Sequence, residues 1–269
     1  MPKSDDHDLQ FKAAGPAHSR EQGPVAPGSL RTFVILLQKT ILTLARHWFL
    51  VANVISGTIL ALGFLAPAFM SAGLTDTGQA FYNFLAPHNH QLPQRSYFLF
   101  SQAGGIQTYS LEQIIAAGAD PENLQAFVGN AELGFKMALN HRMVAILMAI
   151  FLGGLGWGLA KGRPRLGLIW FILLMLPLLV DGFSHMRSES SGLGFRETNA
   201  WAVRLTGGAF TDEFYEGSTI GSLNWWLRTV TGTLFGLGFV WFLFTYFLVR
   251  FRAIRAQLEP KLRRIGAIK

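Results

Sequence analysis

Four long apolar runs decide what this chain can fold into. Residues 48–70 and 143–160 contain no charged side chain, and residues 166–185 and 223–249 contain one each, Asp181 and Arg228. About 20 apolar residues at 1.5 Å per residue cover the roughly 30 Å hydrocarbon core of a bilayer. A helix meets all of its own backbone hydrogen bonds there, where no water is available. The sequence therefore predicts an all-α integral membrane protein, a four-transmembrane-helix bundle with spans at 48–70, 143–160, 166–185 and 223–249. Pro177 is expected to kink the third span. Trp225, Trp226, Trp241 and Tyr246 form the aromatic belt of the fourth.

Only 14% of the 269 residues are charged, against about 25% in a soluble domain, which fits such a chain. The net charge is +7. In a soluble protein that balance would suggest nucleic acid. Here the basic residues flank apolar runs, so the expected partner is the lipid bilayer and not nucleic acid. Cysteine is absent, which excludes a disulfide, a thiolate metal site and a cysteine nucleophile.

Of the 23 Lys and Arg, six precede the first span, three lie at 161–165 and seven follow residue 249. The remaining seven fall in the other loops or next to them. By the positive-inside rule both termini are cytoplasmic, at the cell membrane. Residues 1–29, rich in Gly, Pro and charge, read as a disordered cytoplasmic tail. Residues 30–250 read as the membrane domain, with an amphipathic interfacial stretch at 30–47. Residues 251–269 read as a basic cytoplasmic tail. The segments 71–142 and 187–222 are then exoplasmic inserts.

The first insert is expected to be mixed α/β. Strands are predicted at 97–100 and 106–109 around Gly104-Gly105. Ser110 with Gln113 forms a capping box, and Asp120-Pro121 an N-cap and first-turn pair. The second insert, rich in Gly and Ser, reads as loops.

Polar residues converge on the exoplasmic side. His90 and Arg95 follow the first span, Arg142 enters the second, Asp181 and His185 close the third, and Asn224 and Arg228 open the fourth. Asp181 and His185, four apart, share a helix face. Asn224, Arg228, Gly232 and Gly236 share another, which must face protein because an arginine facing lipid is costly. These seven residues, His90, Arg95, Arg142, Asp181, His185, Asn224 and Arg228, are the candidate ligand site. Asp181 and Arg228, at similar depth, are expected to meet as a salt bridge or through one shared polar group. His88, His90, His141 and His185 also fall on this side, but their spacing matches no strong metal motif. No metal or other cofactor is assigned, and the four are expected not to form one complete metal site.

The chain resembles an uncharacterised membrane protein family, domain of unknown function 2085. The residues that carry the resemblance are His90-Gln91, Arg95-Ser96, Arg142, Asp181-Gly182, Asn224, Leu227-Arg228 and Thr231-Gly232, with Gly129 to Gly134 also similar. It extends over roughly residues 50–245. Where that family has cysteines, this chain has Asn89 and Asn140 or Met143. The resemblance implies a multi-pass architecture and this residue list, and no activity.

The function expected from the residues is recognition of a small ligand or lipid headgroup at the exoplasmic His/Arg/Asp site. The alternatives are a metal-dependent membrane enzyme and a non-enzymatic accessory subunit that docks a protein partner. The sequence names no reaction.

Overall fold

The computed structural model describes residues 28–162 and 165–269, without the side chain of His88. The tail expected at 1–29 lies outside the described residues up to position 27. The chain is mostly helical, and four of its helical stretches are long and apolar enough to cross a membrane: Gly28–Ser71, His141–Leu159, Leu168–Ser190 and Leu223–Arg264.

The first of these, α1 (Gly28–Ser71), is one continuous helix. The amphipathic stretch at 30–47 is thus its first half and not a separate element. No Gly or Pro interrupts that stretch, so nothing breaks the helix before the apolar run begins. Near its middle, Leu42 and Ala45 are buried, and α1 packs against the last helix, α10 (Thr245–Arg264). An ion pair between Arg46 and Glu259 at 2.7 Å joins the two. Residues 251–264, within the segment read as a basic tail, are helical.

After α2 (Thr75–Leu85) comes a three-stranded antiparallel sheet of β1 (Ser96–Leu99), β2 (Gly129–Asn130) and β3 (Gly134–Asn140), in the order β1-β3-β2. The β1 partners are Ser96 with Asn140, Phe98 with Lys136 and Leu99 with Phe135. The strand expected at 106–109 shrinks to one bridge between Gln107 and Phe98. The short helix α3 (Leu111–Ala116) starts at the expected capping box, with both Ser110 and Gln113 bonds made. Asp120 caps the next turn by accepting from the Glu122 N–H.

The central strand β3 runs straight into α4 (His141–Leu159), with Asn140 as N-cap accepting from the Met143 N–H at 2.9 Å. Ala138 and Leu139 on β3 pack with Leu60 and Ala66 of α1, Tyr82 and Leu85 of α2 and Leu147 of α4. The sheet is thereby fixed to one end of the apolar helices. At the other end Trp48, Trp157, Val240 and Phe244 form a second cluster.

The third apolar helix, α5 (Leu168–Ser190), continues through Pro177. Three short helices follow where loops were expected: α6 (Phe195–Thr198), α7 (Ala200–Thr206) and α8 (Asp212–Tyr215). The fourth apolar stretch begins as α9 (Leu223–Phe239), passes one π-helical turn at Val240–Phe244 and becomes α10.

Helix α9 packs against both α4 and α5. Lipid tails are as apolar as Leu, so helices in a bilayer associate through close van der Waals packing of small residues. A Cβ at Gly236 would lie 2.7 Å from both the Ala149 Cβ and the Ile146 carbonyl oxygen, and one at Gly232 would lie 3.1 Å from the Ala145 Cβ. The face carrying Asn224, Arg228, Gly232 and Gly236 is buried throughout. This seam brings the first turns of α4 and α9 together at the sheet-bearing end.

Candidate functional site

Asp181 is the hub of the polar cluster. It is 3% exposed. One carboxylate oxygen accepts from Arg142 at 2.5 Å and the other from Arg196 at 2.8 Å. Arg142 reaches it from α4 beside Gly182, where a Cβ would lie in van der Waals contact with the guanidinium at 3.4 Å.

Arg196 ties the second insert into this cluster. Its guanidinium also donates to Asn224 Oδ1 at 2.9 Å and to Ser184 Oγ at 3.2 Å, and lies 3.1 Å from His185 Nε2. Asn224 returns two bonds, to the carbonyls of Arg196 and Gly217 at 2.6 and 2.7 Å. Burial lowers the pKa of Arg196, and the Asp181 carboxylate opposes that shift.

Asp181 and Arg228 form no direct ion pair. The Arg228 guanidinium donates to Ser218 Oγ at 2.7 Å and lies 3.3 Å from both ring nitrogens of His185. His185 Nε2 is in turn 3.8 Å from Asp181. The imidazole is thus the polar group the two share. The reason is competition: Arg142 and Arg196 already occupy both carboxylate oxygens.

Five of the seven sequence candidates, His90, Arg95, Arg142, His185 and Arg228, line one cavity of about 80 Å³ beside Asn140. Asp181 and Asn224 are not among the residues that line it. Arg95 is paired with Glu189 and lies 3.9 Å from Glu197. Arg228 is 3% exposed and makes no ion pair among the described residues. The Nε atoms of Arg95 and Arg142 are buried without a partner among those residues.

The arrangement suits an oxyanion. Planar guanidiniums match phosphate and carboxylate geometry. His90 and His185 both line this cavity, whereas the buried His141 ring packs on Tyr97, with centroids 4.3 Å apart. No group of three His, Cys, Asp or Glu capable of holding a metal occurs among the described residues.

Residues 132–242 match the family model described as Predicted membrane protein (DUF2085). The match fits the resemblance seen in the sequence, over a shorter stretch than the expected 50–245. It covers Arg142, Asp181, His185, Asn224 and Arg228 and leaves out His90 and Arg95. Its description names a membrane protein and no activity. No curated protein and no solved structure matches the chain. The DUF2085 resemblance places cysteines at Asn89 and at Asn140 or Met143, and of these the Asn140 amide donates to Asn89 Oδ1.

Arg196 is the site residue that sequence reasoning misses. Its only signal is a charge in a Gly- and Ser-rich insert, which by itself reads as solvated. Lys136 is missed as well. It is fully buried on β3, and its Nζ donates to the carbonyls of Gln91 and Gln125 at 2.8 and 2.7 Å.

Proposed function

We propose that this membrane protein binds a small oxyanion, the phosphate of a lipid headgroup or of a soluble phosphate ester, in the cavity walled by Arg95, Arg142 and Arg228. The observation that carries the reading is Arg228, buried at the cavity wall without a carboxylate partner among the described residues. Taking a lone ion out of water costs several kcal/mol even after relaxation. A bound anion offsets that cost.

The cavity of about 80 Å³ is small beside the roughly 300–1,000 Å³ pockets that enclose drug-sized ligands. It fits a phosphate group and leaves the rest of any larger molecule outside. The distribution of Lys and Arg favours both termini in the cytoplasm and the pocket on the exoplasmic side. Trp225 and Trp226, within one turn of Arg228, suit the headgroup level of a bilayer.

Titration calorimetry of the purified chain in a non-ionic, phosphate-free detergent tests this. Inorganic phosphate should bind the wild type, and Arg228→Met should abolish the signal while the protein stays folded. A wild-type protein that gives no heat with phosphate at millimolar concentration overturns the reading.

A further inference from the structure

A second cavity, of about 120 Å³, adjoins the first. Arg95 and His185 wall both. The two differ in chemistry. The first presents guanidiniums and has no carboxylate in its lining. The second is lined by Glu197, Gln94, Ser110, Ser218 and Asn224, and its remaining wall includes Gly217.

The polar atoms left without partners sort the same way. In the first cavity's own wall the unpartnered buried atom is a donor, Arg142 Nε, while Arg95 Nε, also a donor, belongs to the wall that both cavities share. In the second cavity's own wall it is an acceptor, Gln94 Oε1. Glu197 adds acceptor capacity. One of its oxygens accepts from Ser188 Oγ at 2.9 Å. The other is 3.9 Å from Arg95, whose closer partner is Glu189. Ser218 Oγ accepts from Arg228 and keeps a lone pair for a further donor. One side of the Arg95–His185 wall therefore calls for hydrogen-bond acceptors with negative charge. The other shares Arg95 but adds the Glu197 carboxylate, and so accommodates a donor with positive charge.

We propose that the two cavities take one zwitterionic ligand, a phosphate ester whose alcohol carries a protonated primary amine. The phosphate lies among Arg95, Arg142 and Arg228, and the ammonium among Glu197, Gln94 and Ser218. An ammonium has three donors and no acceptor, matching the acceptors of the second cavity. This inference rests on the oxyanion reading and adds the identity of the second group. An ethanolamine phosphate carries this chemistry, either as a lipid headgroup or as a soluble ester.

The test compares three probes on the full chain in non-ionic detergent: inorganic phosphate, glycerol phosphate and O-phosphoethanolamine. Phosphoethanolamine should bind about tenfold more tightly than glycerol phosphate, the gain of a charge-assisted hydrogen bond. In Glu197→Gln the ratio of the two affinities should fall to about one. The wild-type ratio alone decides the matter if that variant fails to fold. Equal affinities for the two esters, with phosphate still bound, overturn this inference and leave the oxyanion reading standing. Absence of binding by all three probes overturns both.

The source of the ligand is read by repeating the titration in nanodiscs. Suppression of phosphoethanolamine binding in phosphatidylethanolamine discs, relative to phosphatidylglycerol discs, assigns the site to the lipid headgroup. Equal binding in the two assigns it to the soluble ester. Either result supports the proposal.

Discussion

His185 stands between Arg228 and Asp181, with its ring nitrogens 3.3 Å from the Arg228 guanidinium and its Nε2 3.8 Å from the Asp181 carboxylate. The carboxylate itself is taken by Arg142 and Arg196. The two charged residues of the apolar runs thus have unequal roles. Asp181 is the counter-ion of two guanidiniums, while Arg228 has none among the described residues.

This inequality predicts different costs of substitution. Asp181→Ala leaves Arg142 and Arg196 uncompensated and should destabilise the protein by about 3–5 kcal/mol, the usual effect of breaking a buried pair from one side. Arg228→Met removes a charge that no carboxylate balances and should cost little or even stabilise. Thermal unfolding of the two variants in detergent measures the difference. Equal destabilisation by both would show that Arg228 is held by the Asp181 network after all.

Lys136 gives a pH dependence. Its amine is fully buried and is pushed down to about 7 by that burial. The unfolded chain holds the proton up to about pH 10.4. Between these values the unfolded state binds more protons, so stability rises with pH. The lysine's burial penalty is fully present below pH 7 and fades as pH climbs towards 10. The effect is on the order of a few kcal/mol. Melting temperatures of wild type and Lys136→Met, measured from pH 7 to 10, should converge as pH rises. Parallel curves would mean that Lys136 keeps its proton throughout this range.

The parts of the site that are legible in the sequence are those whose cost is fixed locally. A charged residue in an apolar run, or at its edge, needs a partner wherever it sits, so Asp181, Arg142 and Arg228 stand out from the residue pattern alone. The capping box at Ser110 and the N-cap at Asp120 are equally local. Arg196 is not legible, because its role depends on the second insert folding back over α5, which no local pattern encodes. β3 is hidden for another reason. Gly134 to Asn140 is buried on both faces for most of its length, so it lacks the alternation that marks a half-exposed strand. Lys136 breaks its apolar run as well. A direct Asp181–Arg228 pair is the natural expectation only while Arg196 is not counted as a competitor.

Orientation is a separate prediction, resting on the distribution of Lys and Arg. Single cysteines in this cysteine-free chain report it directly. Asp120→Cys and Leu193→Cys should react with an impermeant thiol reagent on intact cells. Arg165→Cys and Lys269→Cys should react only after permeabilisation. Labelling of position 165 from outside would place the pocket on the cytoplasmic face and reverse the topology.

Arg142 stands on α4 and Arg228 on α9, so the width of the cavity depends on how closely these helices approach. Gly236 sets that approach: a Cβ there would lie 2.7 Å from the Ile146 carbonyl oxygen and from the Ala149 Cβ. A backbone carbonyl cannot swing aside as a flexible side chain can. Gly236→Val should therefore push the helices apart, with a cost of about 1–3 kcal/mol typical of overpacking. It should also weaken phosphate binding, although residue 236 is about two helical turns from Arg228. Gly156→Val is the control, because a Cβ at Gly156 meets nothing within 4 Å. Its melting temperature and phosphate affinity should match the wild type. If Gly236→Val melts and binds like the control, the α4–α9 seam is not what holds Arg142 and Arg228 at their separation.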